Sequence, residues 1–125
     1  MIVDTNALSA FFEGDPGIAD IMSKADAVYV PVMVIGEFRY GLAGSRMRKK
    51  WEPVFSEFLS NCTILPVLET TAHLYAKIRY GLRKKGKPIP ENDVWIAALA
   101  KEHGQPVLSR DQHFDQVTGV KRIGF

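Results

Sequence analysis

The chain contains 125 residues, a length typical of one compact domain, and we expect residues 1–125 to form a single domain. Hydrophobic residues make up 46% and charged residues 24% of the sequence, which excludes disorder as the main state. The longest apolar run covers only residues 27–35, whereas a transmembrane helix needs about 20 residues. No signal-peptide pattern follows Met1, so we expect a cytoplasmic protein. The lone cysteine, Cys62, excludes an internal disulfide and a cysteine-based zinc site.

Short apolar runs alternate along the chain with longer amphipathic stretches. The β-branched runs predict strands at residues 2–3, 27–30, 63–65, 106–109 and 121–124. The helical patterns predict helices at about 16–24, 31–40, 46–60, 70–85 and 91–102. Strands that alternate with helices indicate an α/β protein, a three-layer α/β/α sandwich with a mostly parallel central sheet.

Acidic and basic residues are segregated along the chain. Residues 1–37 contain six acids and one base, whereas segments 39–50 and 77–87 together contain eleven bases and no acid. This distribution favours a polyanionic partner that binds beside an acidic site. Two solvated basic helix faces remain the alternative.

Four acids lie where predicted elements begin or end, and ligands of open α/β sheets bind beyond the carboxyl ends of the strands. Asp4 ends the first strand, Glu37 follows the second strand, Asp93 opens the last helix and Asp111 follows the fourth strand. Each acid also has a structural explanation: Asp93 could complement a helix dipole and Asp111 could close an Asx turn. Asn6 could be a helix N-cap. The joint placement of the four acids is the stronger signal.

Clustered carboxylates need a counterion. Two like charges at about 4 Å repel by roughly 1 kcal/mol in water and about 4 kcal/mol at an effective dielectric near 20. Oxygen ligands favour Mg²⁺ or Mn²⁺ over zinc. The histidines, which have no ligand spacing with one another, are interpreted as structural or surface residues: His73, His103 and His113.

Four sequence stretches resemble the PIN domain, specifically the stand-alone VapC-type toxins of prokaryotic toxin–antitoxin modules. They are VDTNAL (3–8), VPVMVIGEFRYG (30–41), KPIPENDVWIAALA (87–100) and VLSRDQHF (107–114). The resemblance covers the whole chain, and its motifs are specific in combination. It implies that Asp4, Glu37, Asp93 and Asp111 are the catalytic, metal-binding quartet, supported by Asn6 and by Ser109, which stands where the family commonly has threonine.

The resemblance also implies an activity and partners. Similar proteins are Mg²⁺- or Mn²⁺-dependent endoribonucleases that leave a 5′-phosphate and a 3′-hydroxyl, form homodimers and bind a cognate antitoxin. Two rival interpretations stay open: a metal-dependent phosphatase or DNA-directed nuclease, and a binding module that no longer cleaves. An aspartyl-phosphate mechanism is disfavoured because Asn6 replaces the second acid of a D-x-D pattern.

The basic segments could hold an RNA backbone, since phosphate contacts supply affinity but little sequence information. The candidate RNA-binding residues are Arg46, Arg48, Lys49, Arg79, Arg83, Lys84 and Lys85. Tyr40, Trp51 and Tyr80 are candidate stacking partners for bases, although core packing is the favoured role of each. The apolar side chains of segment 28–60 could line a partner groove, a dimer face or the core: Phe38, Met47, Trp51, Phe55 and Phe58.

Overall fold

The computed structural model describes all residues from Met1 to Phe125. The strands are β1 (Ile2–Val3), β2 (Tyr29–Pro31), β3 (Thr63–Leu65), β4 (Val107–Leu108) and β5 (Arg122–Ile123). The helices are α1 (Thr5–Phe12), α2 (Pro16–Ser23), α3 (Val32–Ala43), α4 (Arg48–Ser60), α5 (Glu69–Lys84) and α6 (Glu91–His103). A 3₁₀ helix covers Gln112–Gln116. No helix is both long and apolar enough to cross a membrane.

The five strands form one sheet in the order β3-β2-β1-β4-β5, and every pair of neighbours is parallel. Adjacent residues of a strand point to opposite faces of the sheet. Ile2 and Val3 of β1 are both fully buried, as are Val107 and Leu108 of β4, so helices cover both faces. The prediction of an α/β sandwich with a parallel central sheet is confirmed.

The sheet has its topological switch point between β1 and β4. From β1 the chain builds outward to β2 and β3, and it then returns to add β4 and β5 on the other side of β1. Such a reversal leaves a crevice beyond the carboxyl ends of the two central strands. The core beneath it is one cluster of 26 buried hydrophobic residues.

The first helix was not among the predicted elements, and its start corrects the interpretation of Asn6. The N-cap of α1 is Asp4, whose Oδ1 accepts a hydrogen bond of 2.8 Å from the backbone N–H of Thr5. Asn6 lies inside the first turn and is not the N-cap. Helix α3 is longer than predicted. The sequence predicts an end near Tyr40, whereas the helix continues through Gly41 and ends at Ala43, with Gly44 as its C-cap.

Candidate metal centre

The crevice contains a polar network built on Ser109, which follows β4 and is fully buried. Its hydroxyl donates a hydrogen bond of 2.7 Å to Asp4 Oδ2. Ser109 Oγ also accepts hydrogen bonds, from Asn6 Nδ2 at 3.0 Å and from the backbone N–H of Asp111 at 2.9 Å. One hydroxyl therefore contacts the Asp4 carboxylate, the Asn6 amide and the backbone of Asp111.

Asn6 ties the first turn of α1 to the loop that follows β4. Its amide oxygen accepts a hydrogen bond of 3.1 Å from the backbone N–H of Arg110, and its Nδ2 also lies 3.3 Å from Asp4 Oδ2. These contacts place Asn6 in the supporting position that the sequence predicts for it. That role nevertheless stays a prediction, because hydrogen bonding alone does not establish catalysis.

Asp93 and Asp111 meet at the same crevice, together with a histidine that the sequence interpretation left out of the site. His113 Nδ1 lies 2.9 Å from Asp93 Oδ2 and 2.7 Å from Asp111 Oδ1. One ligand atom from each of these three side chains lies within 4.8 Å of the other two, so the group could hold a metal ion. His113 is half-exposed, which agrees with its interpretation as a structural or surface residue, and the structure places its ring beside two of the predicted acids.

His113 reaches the site because of the turn that Asp111 makes. Asp111 is the N-cap of the 3₁₀ helix, and its Oδ1 accepts a hydrogen bond of 3.0 Å from the backbone N–H of His113. The Asx-turn role predicted as an alternative for Asp111 is therefore real and coexists with its place in the cluster. Phe114, fully buried, anchors the same loop in the core.

Glu37 lies at the rim of the crevice on α3 and is exposed. Its Oε2 accepts a hydrogen bond of 2.7 Å from Thr5 Oγ1, and its Oε1 accepts one from Asn92 Nδ2. Thr5 follows Asp4 in sequence, and Asn92 precedes Asp93. The structure thus brings all four predicted acids to one end of the sheet, with Glu37 outermost.

Burial, together with repulsion between neighbouring carboxylates, raises the pKa values of two aspartates of the site. The pKa of Asp93 is raised to about 6, mainly by burial and in part by the carboxylates of Asp4 and Asp111, while the hydrogen bond with His113 opposes the shift. Burial likewise raises the pKa of Asp4, with added repulsion from Glu37 and Asp111, while Ser109 opposes the shift. The hydrogen bond to Asp93 is the main cause of a raised pKa at His113. A bound cation would relieve this repulsion.

The predicted RNA-binding side chains are all exposed: Arg46, Arg48, Lys49, Arg79, Arg83, Lys84 and Lys85. Three of them have protein partners. Arg79 lies 3.8 Å from Glu91, Lys85 donates to the carbonyl of Gln116 at 3.4 Å, and Lys84 Nζ lies 5.6 Å from the centroid of the Tyr80 ring. Core packing, the role favoured for the tyrosines, is wrong for Tyr40 and Tyr80, which are 84% and 62% exposed.

Within the apolar residues of segment 28–60, the structure separates core from surface. Phe55 is fully buried, and Phe38, Trp51 and Phe58 are partly buried against the core. Met47 is 48% exposed. The core interpretation therefore holds for Phe55, while Phe38 and Trp51 also line an open groove beside the acidic site.

Comparison with known proteins identifies the family of this chain. The model of the PIN domain family matches residues 1–120. The chain belongs to the PIN domain family, in its VapC-type branch. The sequence of this PIN domain is 30% identical over 125 residues to ribonuclease VapC2 of Haemophilus influenzae, covering 96% of this chain and 93% of that protein.

Two further comparisons agree with this assignment. The PIN domain is 32% identical over 123 residues to toxin FitB of Neisseria gonorrhoeae, covering 89% of this chain and 87% of FitB. It also matches the crystal structure of VapBC-5, a member of the VapBC family of toxin–antitoxin systems from Mycobacterium tuberculosis. That match has a TM-score of 0.77 and 25% identity, and it covers 99% of this chain and 97% of the other.

Proposed function

We propose that this PIN domain is a metal-dependent endoribonuclease and the toxin of a toxin–antitoxin pair. The observation that carries the proposal is the convergence of four carboxylates from four separate segments at the switch point of the sheet: Asp4, Glu37, Asp93 and Asp111. The names of the relatives support the same activity, since one is a ribonuclease and another a toxin.

The residues of the crevice fit a divalent metal. Carboxylate oxygens of Asp4, Asp93 and Asp111 are the hard ligands that Mg²⁺ and Mn²⁺ prefer. Burial is the main cause of the raised pKa values of Asp4 and Asp93, and a bound cation would relieve the repulsion between carboxylates that adds to it. When bound, such a metal supplies a coordinated water of lowered pKa that can attack a phosphodiester phosphorus.

The chain's own residues prepare the site for this chemistry. Ser109 and the backbone N–H of Thr5 hold the two oxygens of the Asp4 carboxylate in fixed positions, which limits the reorganisation needed on binding. Glu37, held by Thr5 and Asn92 at the rim, presents a carboxylate that can accept a proton from an attacking water. The carboxylates thus position and deprotonate, and no covalent intermediate is required.

The substrate and partners belong to the same proposal. The exposed basic side chains in and next to α4 and α5 would contact the phosphates of RNA, and a cognate antitoxin would block the acidic crevice. We also infer that residues 1–125 act as one domain, supported by the single core cluster. We infer a homodimer as well, supported by large apolar side chains left exposed near the edge strand β3, among them Ile64 and Leu68.

Cleavage of total RNA tests the proposal. Purified protein free of antitoxin is incubated with Mg²⁺, with Mn²⁺ or with a chelator, and the fragment ends are sequenced. Asp4→Ala and Asp93→Asn should abolish discrete, metal-dependent fragments. Asp20→Asn is the matched control, because Asp20 is an exposed acid of α2 that pairs with Lys24 and makes none of the hydrogen bonds of the crevice.

The outcomes separate the alternatives. Fragments that carry a 5′-phosphate and disappear in both crevice variants support the proposal. Equal cleavage by wild type and Asp93→Asn would show that the crevice is not the active site. Folded wild type that binds RNA without cutting it, with or without metal, would favour the non-cleaving binding module.

A further inference from the structure

His113 lies at the acidic crevice, and the proposed mechanism gives it no role. Its Nδ1 lies 2.9 Å from Asp93 Oδ2 and 2.7 Å from Asp111 Oδ1. Every polar contact of the imidazole ring is made by Nδ1, and the side chain is 46% exposed. The ring therefore directs Nδ1 between the two carboxylates and leaves Nε2 without a protein partner.

The loop that carries His113 fixes its position. The backbone N–H of His113 donates a hydrogen bond of 3.0 Å to Asp111 Oδ1, and Phe114, the next residue, is fully buried. The 3₁₀ helix is also tied to β5, because Arg122 donates two hydrogen bonds, of 2.9 and 3.0 Å, to the Asp115 carboxylate. The imidazole is thus held at the crevice before any ion binds, which is what a preorganised ligand requires.

The donor atoms around His113 have the spacing of neighbouring ligands on one ion. An octahedral ion with ligands at about 2.1 Å separates adjacent ligand atoms by about 3.0 Å. The two distances from His113 Nδ1 are close to this value, and one donor atom from each of Asp93, Asp111 and His113 lies within 4.8 Å of the other two. The same distances also suit hydrogen bonds, so the chemistry of the ring decides its role when an ion is bound.

The two tautomers of the ring differ in what they present to a bound ion. An ion held by Asp93 and Asp111 lies next to Nδ1, because Nδ1 contacts both carboxylates. A proton on Nδ1 would face the positive charge of the ion, whereas a proton on Nε2 leaves the lone pair of Nδ1 free to bind it. No protein group holds a proton on either nitrogen against this change, apart from the two carboxylates that the ion itself neutralises. The ion therefore selects the tautomer that binds it.

A nitrogen ligand changes which ion the crevice prefers. The carboxylates alone offer only oxygen atoms, which both Mg²⁺ and Mn²⁺ accept. Mg²⁺ is bound almost wholly by oxygen and keeps several of its waters. Imidazole nitrogen suits first-row transition ions better than it suits Mg²⁺. Replacing one water of the ion by an imidazole therefore favours Mn²⁺.

We propose that His113 is a ligand of the metal ion, through Nδ1 beside Asp93 and Asp111, and that it makes the crevice select Mn²⁺ over Mg²⁺. This inference rests on the proposed function for the presence of a divalent ion, and it adds a nitrogen ligand to the carboxylates. The competing outcome is a positioning role, in which the ring only orients the two carboxylates by hydrogen bonds.

Pulsed electron paramagnetic resonance tests the ligand role without any RNA. Mn²⁺ is paramagnetic, and a directly bound imidazole modulates its electron spin echo through the ¹⁴N nucleus. We expect this modulation in the wild-type protein loaded with Mn²⁺ and its loss in His113→Phe, which keeps a ring and removes both nitrogens. His73→Phe is the matched control and should keep the modulation, because His73 is exposed on α5 and makes none of the hydrogen bonds of the crevice. No modulation in wild type, or modulation that survives in His113→Phe, would overturn the proposal.

His113→Asn separates the ligand role from the positioning role. The asparagine amide offers a hydrogen-bond donor near the position of Nδ1, so it can still orient a carboxylate but has no imidazole nitrogen. In calorimetric titrations we expect His113→Asn to bind Mn²⁺ at least about tenfold more weakly than wild type, and to bind Mg²⁺ within about threefold of wild type. Equal affinities of the two proteins for Mn²⁺ would assign the ring to positioning alone and overturn the proposal.

RNA cleavage is measured separately, so that the ligand assignment and the proposed function can fail independently. If RNA is cut in a metal-dependent way while the Mn²⁺-loaded wild type shows no nitrogen modulation, the ligand assignment falls and the ribonuclease function stands. If the modulation is present and depends on His113, and no RNA is cut with either ion, the ligand assignment stands and the proposed function falls. When both hold, replacing Mg²⁺ by the same subsaturating concentration of Mn²⁺ should raise cleavage by wild type more than cleavage by His113→Asn.

Discussion

Asp93→Asn should stabilise the metal-free protein while it removes activity. Asp93 is only 9% exposed, and its pKa of about 6 in the folded state compares with 3.8 for an unperturbed aspartate. Each unit of difference corresponds to about 1.4 kcal/mol, so the ionised carboxylate costs up to about 3 kcal/mol at neutral pH. His113 loses its charged partner in the variant, and we therefore expect a net gain of about 1–2 kcal/mol in the free energy of unfolding.

The sign of the pH dependence follows from the raised pKa. The folded protein retains the Asp93 proton between about pH 4 and pH 6, where the unfolded chain has lost it, so this carboxyl favours folding at low pH. That contribution is lost as the pH rises through 6. The advantage of Asp93→Asn should therefore be full at pH 8 and absent near pH 4.

Urea denaturation in the presence of a chelator, at pH 8 and pH 4.5, measures this difference. Asp20→Asn serves as the control and should change stability by less than about 0.5 kcal/mol at either pH, because Asp20 forms only an exposed pair with Lys24. Added Mg²⁺ should stabilise wild type and leave Asp93→Asn unchanged, since only a protein that binds the ion gains from it. The electrostatic reasoning would be refuted if Asp93→Asn were no more stable than wild type at pH 8. It would also be refuted if the gain in the free energy of unfolding were the same at both pH values.

The remaining predictions concern the network, the RNA contacts and the assembly. Ser109→Ala should lower the free energy of unfolding by about 1–3 kcal/mol, because a buried Asp4 oxygen and the backbone N–H of Asp111 lose their partner. Ser109→Thr keeps the hydroxyl and should therefore retain RNA cleavage. Lys49→Gln and Lys84→Gln should each reduce the slope of log affinity for single-stranded RNA against log salt by about 0.7 in a filter-binding titration, and an unchanged slope would exclude that side chain from the RNA path. Light scattering of the purified protein should give twice the mass of the 14.0 kDa chain, whereas a monomer at all concentrations would contradict the homodimer.

The sheet was predictable because its two central strands, β1 and β4, are short runs of fully buried residues bounded by polar ones. Both faces of a parallel sheet are covered, so Ile2, Val3, Val107 and Leu108 read as continuous apolar segments. Helix α1 escaped prediction because Asp4, its N-cap, was interpreted as a site carboxylate. A helix-end signal was present, since Gly14 follows the C-cap Glu13 with a positive φ of 86°. Propensity alone is a weak guide to a helix of only eight residues.

The acids of the site were predictable and their histidine neighbour was not. Asp4, Asp93 and Asp111 stand at element ends, where a sheet topology brings them together. His113 joins them only through the turn of the 3₁₀ helix, which directs its ring back to Asp93, 20 residues earlier in the sequence. Spacing between histidines carries no information about such a contact. The exposure of Tyr40 and Tyr80 could not be predicted from the sequence either, because a tyrosine next to arginines and lysines can lie at the margin of the core or on the surface.

The hydrogen bond between Ser109 and Asp4 joins residues 105 positions apart, and it has a consequence for biosynthesis. Strand β1, among the first residues to leave the ribosome, cannot complete its place in the sheet until β4 pairs with it. Such long-range parallel pairing forms slowly. A nascent chain therefore carries Asp4 for nearly the whole of its synthesis without an assembled acidic crevice. For the proposed nuclease, whose RNA substrate surrounds it during synthesis, we expect the order of the strands to delay activity until translation is almost complete.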